Sequence, residues 1–343
     1  MAAAAVSPAP PKAVVRPPRE RVSSWPLVDR LFYALCWISG LALCAIALWI
    51  VLYMLVKGVS YLKPSLLTSS PVSGSIQQTS NGGFLDPIEG TLLVTAVGTL
   101  IAAPLGVAIA VWLTEYARPS WLARAVDSAI EMLAGVPSIV LALFGLIFFS
   151  QGFLTFVSQG AASGALGQSF IAAGAVMALI ALPLIVAATR EGLEALPPRI
   201  REASFALGKT KATTSRYVLL PAIKPSIAAG VVLGMGRIIG DTAIITVLLG
   251  GSAQLTEPVG HTPVWGLLRG TGSTLTSYVY YNSPAGEGNA HEKAYAAAFV
   301  LLLMVLALNF LVTRLTVTGE RGPAAASRLR MKLAESFAGR RWS

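Results

Sequence analysis

The 343 residues are 55% hydrophobic and only 12% charged, with mean hydropathy +0.68 and formal net charge +10. A soluble domain carries about 25% charged residues, so a chain this apolar lacks the polar surface to cover itself and reads as a membrane protein. The composition also excludes a disulfide scaffold: Cys36 and Cys44 are eight residues apart in one apolar run, roughly 12 Å on a helix and beyond disulfide reach.

In chain order, residues 1–31 are rich in Ala, Pro and Arg and read as a disordered basic tail. Six stretches then reach the length of about 20 apolar residues that a helical span needs: roughly 32–56, 89–113, 128–150, 169–189, 225–249 and 294–316. The first is too long for a signal-peptide core and no small-residue cleavage site follows it, so it is expected to be retained. The stretch "SSPVSGSIQQTSNGGF" after it is polar and turn-rich. In the second span Thr91, Thr95, Gly98 and Ala102 form a stripe of small residues suited to close helix packing. Pro137 in the third span and Pro183 in the fourth are expected to be tolerated within continuous membrane helices. A basic tail, 317–343, closes the chain.

Lys and Arg set the orientation. Residues 1–31 hold five, 114–127 two, 190–224 seven and 314–343 seven, whereas the alternate loops hold only Lys57, Lys63, Arg269 and Lys293. The positive-inside rule therefore places both termini in the cytoplasm. The positive charge is accounted for as a topology signal, with no nucleic-acid partner implied. His261 and His291 lie in a polar loop without a thiol or acidic cluster, so no metal site is expected.

Between the fourth and fifth spans, Gly208-Lys209-Thr210 matches the tail of a phosphate-binding P-loop. The full motif needs a glycine five residues before Gly208, and Ala203 stands there. The preceding "LPPRIREAS" reads as a helix start after Pro197-Pro198 rather than as a buried strand. The loop has no room for an ATPase domain. The expectation is a charged helix turned at Gly208, with no nucleotide bound by this chain.

This loop resembles the EAA motif of ABC importer permeases. Glu202-Ala203-Ser204, Gly208, Val218 and Leu220-Pro221 stand at the motif's spacing, with Ser204 in place of an alanine, a small-for-small change expected to matter little. The resemblance covers about 83–316 and is strongest to the inner-membrane permeases of the phosphate-specific ABC transporter, PstA type. It is carried by 83–117, "LAGVPSIVLALFGL", the loop itself and "GRIIGDTA". "STLTSYVYY" before the last span favours the A type over the related C type. The family usually has Glu where this chain has Asp241.

The resemblance implies an all-α fold of the type I ABC importer permease, six transmembrane helices with a coupling loop at about 191–221, in a bacterial inner membrane. It implies a non-catalytic subunit that rocks between outward-open and inward-open states. Its partners would be a second permease, two ATPase subunits that bind ATP and Mg, and a soluble phosphate-binding protein. Glu202, Ala203, Gly208, Leu220 and Pro221 would form the ATPase-coupling element.

Arg237 falls near the middle of the fifth span, with Asp241 four residues on and Thr242 beside it. A charge at that depth costs at least about 2.5 kcal/mol, which marks a functional candidate. One expectation is an Arg237–Asp241 pair on one helix face that opens as an oxyanion passes; the other is a pair that only scaffolds the helix. Trp265, Tyr278, Tyr280 and Tyr281 in the outer loop 251–293 are candidate docking residues or interfacial aromatics. The competing functions are a permease for sulfate or molybdate, a self-sufficient channel or secondary transporter, and an intramembrane enzyme. No nucleophile–base pair supports the last.

Overall fold

The computed structural model describes residues 26–62, 64–70, 83–117, 120–158, 167–250, 263–283 and 291–318. Most of both basic tails, the polar stretch 71–82 and His261 lie outside the described residues. The chain divides into two compact units, Met1–Tyr53 and Met54–Ser343. Every regular element among the described residues is a helix. Helix α1 is Leu27–Tyr61, α2 Pro64–Thr68, α3 Leu85–Val111, α4 Trp121–Gly135, α5 Ser138–Phe149 and α6 Phe170–Glu194. Then follow α7 Pro198–Ala206, α8 Lys211–Thr214, α9 Lys224–Gly240, α10 Ala243–Leu249, α11 Pro263–Arg269, α12 Leu275–Asn282 and α13 His291–Thr318.

Within the first unit, α1 exposes nearly every apolar side chain, as a helix solvated by lipid does. Its two thiols, Cys36 and Cys44, are free.

In the second unit α6 is the central element. Phe170, Met177 and Ile185 along it are fully buried. Helices α3 and α9 pack on it over their length, and α5 and α10 close one end. The small-residue stripe of α3 is the contact surface, with Thr91, Thr95, Gly98 and Ala102 all buried. A methyl group on Gly98 would stand 3.3 Å from the Gly174 carbonyl of α6 and 3.0 Å from Ile238 of α9. Close backbone approach of three helices therefore needs glycine there.

Among the described residues, four helices are long and apolar enough to cross a membrane: Leu27–Tyr61, Leu85–Tyr116, Phe170–Glu194 and Glu292–Arg314. The other two expected spans are not single helices. Residues 128–150 are bent by 108° between α4 and α5. Val136 is extended (φ −72°, ψ 130°) because the ring of Pro137 disfavours a helical residue before it, and Gly135 ends α4. Pro137 thus starts a new helix, whereas Pro183 is accommodated within α6. Helix α4 is amphipathic, buries no residue and is tied to α6 by Arg190–Asp127 at 2.8 Å. The fifth expected span, 225–249, is interrupted at Asp241-Thr242 between α9 and α10.

Candidate functional site

Two places hold the residues singled out by sequence. The first is the turn between α7 and α8. Helix α7 begins at Pro198, whose fixed φ suits the first helical position. It ends in a Schellman motif. The Lys209 N–H donates to the Ser204 carbonyl (3.2 Å) and the Gly208 N–H to that of Phe205 (2.9 Å), with Gly208 at φ +73°. Thr210 then caps α8, its Oγ1 accepting from the Thr213 N–H. The residues that resemble a P-loop are thus a helix stop and the next helix cap.

Side chains lock this turn to the bundle. Arg201 donates to Glu115 Oε1 from both Nε (3.0 Å) and Nη2 (2.8 Å), and to the carbonyls of Leu193 and Leu196. The Arg201 and Glu115 side chains are 24% and 11% exposed, so this pair is shielded where most surface pairs are not. Ser204 Oγ bonds Thr214 Oγ1 at 2.8 Å, with both residues buried. The serine is therefore not a neutral stand-in for alanine: its hydroxyl fastens α7 to α8. Away from these anchors Glu202, Ala203, Phe205 and Leu207 are exposed, Leu207 by 79%. Leu220 is half-buried and Pro221 exposed, at the start of the fifth span.

The second place is the break in the fifth span. Helix α9 ends at Gly240, and Asp241 is extended (φ −83°, ψ 126°). Its Oδ1 accepts from the Ile244 N–H at 3.0 Å, which caps α10. The expected Arg237–Asp241 pair is therefore absent: the helix that would align the two residues stops between them, and the carboxylate is buried and used as a cap. The shorter side chain of aspartate suits that local bond. Arg237 is exposed and has neither an ion pair nor a hydrogen bond among the described residues. It lies on one face of α9 with Leu233, Gly236 and Gly240, and a methyl group placed on either glycine would meet nothing within 4 Å. The Thr242 hydroxyl also makes no hydrogen bond among the described residues.

Contacts not visible in the sequence hold the break in place. Thr276 of α12 donates its hydroxyl to the Ile239 carbonyl at 2.7 Å. Gln168 donates to the Val247 carbonyl of α10 at 2.9 Å. Thr91 of α3 accepts from the Leu275 N–H, and Gly90 beside it leaves room for the Ser273 carbonyl. Of the aromatic docking candidates, Trp265 and Tyr280 are exposed. Tyr278 instead packs edge-on against buried Phe84 at 5.4 Å, and burial pushes its phenol up to about 12. Tyr281 is half-buried against Tyr280.

Residues 102–318 match the family described as binding-protein-dependent transport system inner membrane component. The chain belongs to that family. As an inner membrane component of such a system it is a multi-pass, non-catalytic permease subunit of an ABC importer, which removes the readings as a self-sufficient channel and as an intramembrane enzyme. Its relatives include the probable ABC transporter permease protein YqgH of Bacillus subtilis, 33% identical over 67% of this chain and 70% of that protein. The phosphate transport system permease protein PstC of Xylella fastidiosa is 33% identical over the same shares. The phosphate transport system permease protein PstA 1 of Mycobacterium tuberculosis is 29% identical over 80% of this chain and 82% of that protein. Relatives of both the A and the C type thus match. Among solved structures, a bacterial ABC transporter that imports alginate aligns with TM-score 0.56 at 15% identity, over 84% of this chain and 99% of the other. The MetNI methionine transporter aligns with TM-score 0.50 at 20% identity, over 68% and 94%. These two support the permease fold.

Proposed function

We propose that this chain is a permease subunit of an ATP-driven phosphate importer and forms part of the phosphate path. The observation that carries the reading is the guanidinium of Arg237, unpaired among the described residues, on an open face of a broken span. A charge at that depth is stable only against protein or water, so the face belongs on an aqueous route rather than in lipid. The planar donor fork matches phosphate oxygens, and no carboxylate among the described residues pairs with it. A passing anion can then be met directly, without a resident ion pair having to open first. Asp241 shapes this face by ending α9, and Thr242, whose hydroxyl is unbonded among the described residues, follows it in the chain. The names of the PstC and PstA 1 relatives support phosphate as cargo.

The same reading places a second permease across the open face of α9 and an ATPase subunit on α7. Glu202, Ala203, Phe205 and Leu207 would enter a cleft of that ATPase, which binds the ATP and Mg. Gly208 and the Leu220-Pro221 start of the fifth span would pass its closure to α9 as a rigid-body movement. The distribution of Lys and Arg puts α7 and both termini on the cytoplasmic side. A soluble phosphate-binding protein would dock outside, where Trp265 and Tyr280 are exposed.

The test is labelled-phosphate uptake in cells lacking the gene, restored with wild type or with Arg237→Ala, with excess sulfate or molybdate as competitor. The expected result is uptake that wild type restores, that neither competitor reduces, and that the variant loses while still present in the membrane. Full uptake by Arg237→Ala removes Arg237 from the path. Competition by sulfate or molybdate transfers the assignment to that oxyanion.

A further inference from the structure

A groove of about 890 Å³ separates α3 from the start of the fifth span. Its walls are apolar, with Val107 and Val111 on one side and Pro221 and Ile227 on the other. Its mouth is different. Arg216 and Lys224 line it together with Trp112 and Tyr116, and all four lie at the end of the bundle that carries α7 and α8. Trp112 and Tyr116 stand on a π-helical turn that extends α3, and Arg216 stands on a second one that extends α8. Such turns recur at functional sites.

Both cations are exposed, and neither has an ion pair or a hydrogen bond among the described residues. Glu115, beside Tyr116 in sequence, is held by Arg201. The mouth therefore carries two positive charges with no carboxylate partner among the described residues, Arg216 lying over the Tyr217 ring at 5.5 Å. Trp and Tyr favour the depth of lipid headgroups. From Ala103 to Tyr116 the groove extends roughly 20 Å along α3 by helix rise, close to the roughly 15 Å of one hydrocarbon leaflet plus its headgroup layer.

We propose that this groove binds an anionic phospholipid, one acyl chain lying along Val107 and Ile227 and its phosphate on Arg216 and Lys224. The lipid completes the wall between the second span and the start of the fifth. This inference does not depend on which anion is transported.

The experiment uses the full-length chain in phosphatidylcholine nanodiscs. These contain a trace of phosphatidylglycerol or phosphatidylcholine with a photo-reactive acyl chain, and crosslinks are mapped by peptide mass spectrometry. Phosphatidylglycerol is expected to label the Val107 and Ile227 walls roughly tenfold more than phosphatidylcholine, given the attraction of two cations for an anionic lipid. Arg216→Gln combined with Lys224→Gln is expected to abolish that preference, and as both side chains are exposed the variant should fold. Equal labelling by the two lipids, or a preference unchanged in the double variant, overturns the proposal. A photo-reactive residue at Val107 that crosslinks to another permease chain rather than to lipid also overturns it, and makes the groove a subunit interface.

Discussion

The hydroxyl of Thr276 donates to the carbonyl of Ile239 at 2.7 Å, across 37 residues of sequence. In an uninterrupted helix that carbonyl would accept from residue 243; because α9 stops at Gly240, it needs another donor. Thr276→Val leaves it unsatisfied in a partly buried site, and the expected loss is about 1–3 kcal/mol. Thr276→Ser keeps the donor and should retain most of the stability. Denaturation of the two purified variants in detergent separates them, and equal stability would show that the bond contributes nothing.

Arg201 and Glu115 hold the charged loop against the end of α3. Glu115→Gln keeps the shape and removes the charge, while Arg201→Met leaves the carboxylate without its donor in a site only 11% exposed. Removing one member of a shielded pair costs about 3 kcal/mol. Arg201→Met should therefore be the worse variant, since the Leu193 and Leu196 carbonyls each lose a guanidinium donor as well. The expected readout is faster proteolysis within 196–210, with cleavage elsewhere unchanged.

Ser204 and Thr214 share one buried hydrogen bond, so their substitutions are not additive. Ser204→Ala strands the Thr214 hydroxyl and Thr214→Val strands that of Ser204, at about 1–2 kcal/mol each. The double variant removes both polar groups and should be less destabilised than the two single losses combined. A double-mutant cycle by thermal unfolding measures the difference, and strict additivity would show the two hydroxyls to be independent.

Gly208 is at φ +73°, and a methyl group there would meet no atom within 4 Å. The cost of Gly208→Ala is therefore conformational, about 1–2 kcal/mol. Gly208→Asn should cost less, because asparagine tolerates the left-handed region, and Gly208→Pro should cost most because its ring forbids that φ. If all three variants had equal stability, the Schellman turn would not be what ends α7.

Much of this fold is legible in the sequence, and the limits have physical causes. An apolar run of twenty residues has one solution in a bilayer, so α1, α3, α6 and α13 stand where hydropathy puts them. Hydropathy measures composition and not direction: 128–150 stays apolar across its 108° bend, and 225–249 across the interruption at Asp241-Thr242. Pro137 and Pro183 look alike locally. Their outcomes differ because α6 is mostly buried, Pro183 included, while α4 buries nothing that would hold a continuous helix straight. Gly208 was readable as a turn because the conformation is local. The partners of Ser204, Arg201 and Thr276 were not, since each lies on another helix. Only Glu115 left a signal, an acid at the end of an otherwise apolar span.

The separation of Arg237 from Asp241 yields the sharpest test of the broken span. Were the two residues paired, Arg237→Gln would strand a buried carboxylate at a cost of about 3–5 kcal/mol. In the structure the arginine has no partner among the described residues, so its replacement should change stability by no more than about 0.5 kcal/mol, as at an ordinary exposed position. Asp241 behaves in the opposite way. Asp241→Asn keeps an oxygen for the Ile244 N–H and should be mild, whereas Asp241→Ala removes the cap and should cost about 1 kcal/mol. Exchanging the two residues, Arg237→Asp with Asp241→Arg, restores nothing if they never paired. Thermal unfolding of the four variants, with phosphate uptake alongside, distinguishes the cases. Recovery of both stability and uptake in the exchanged variant would return the two residues to a single ion pair.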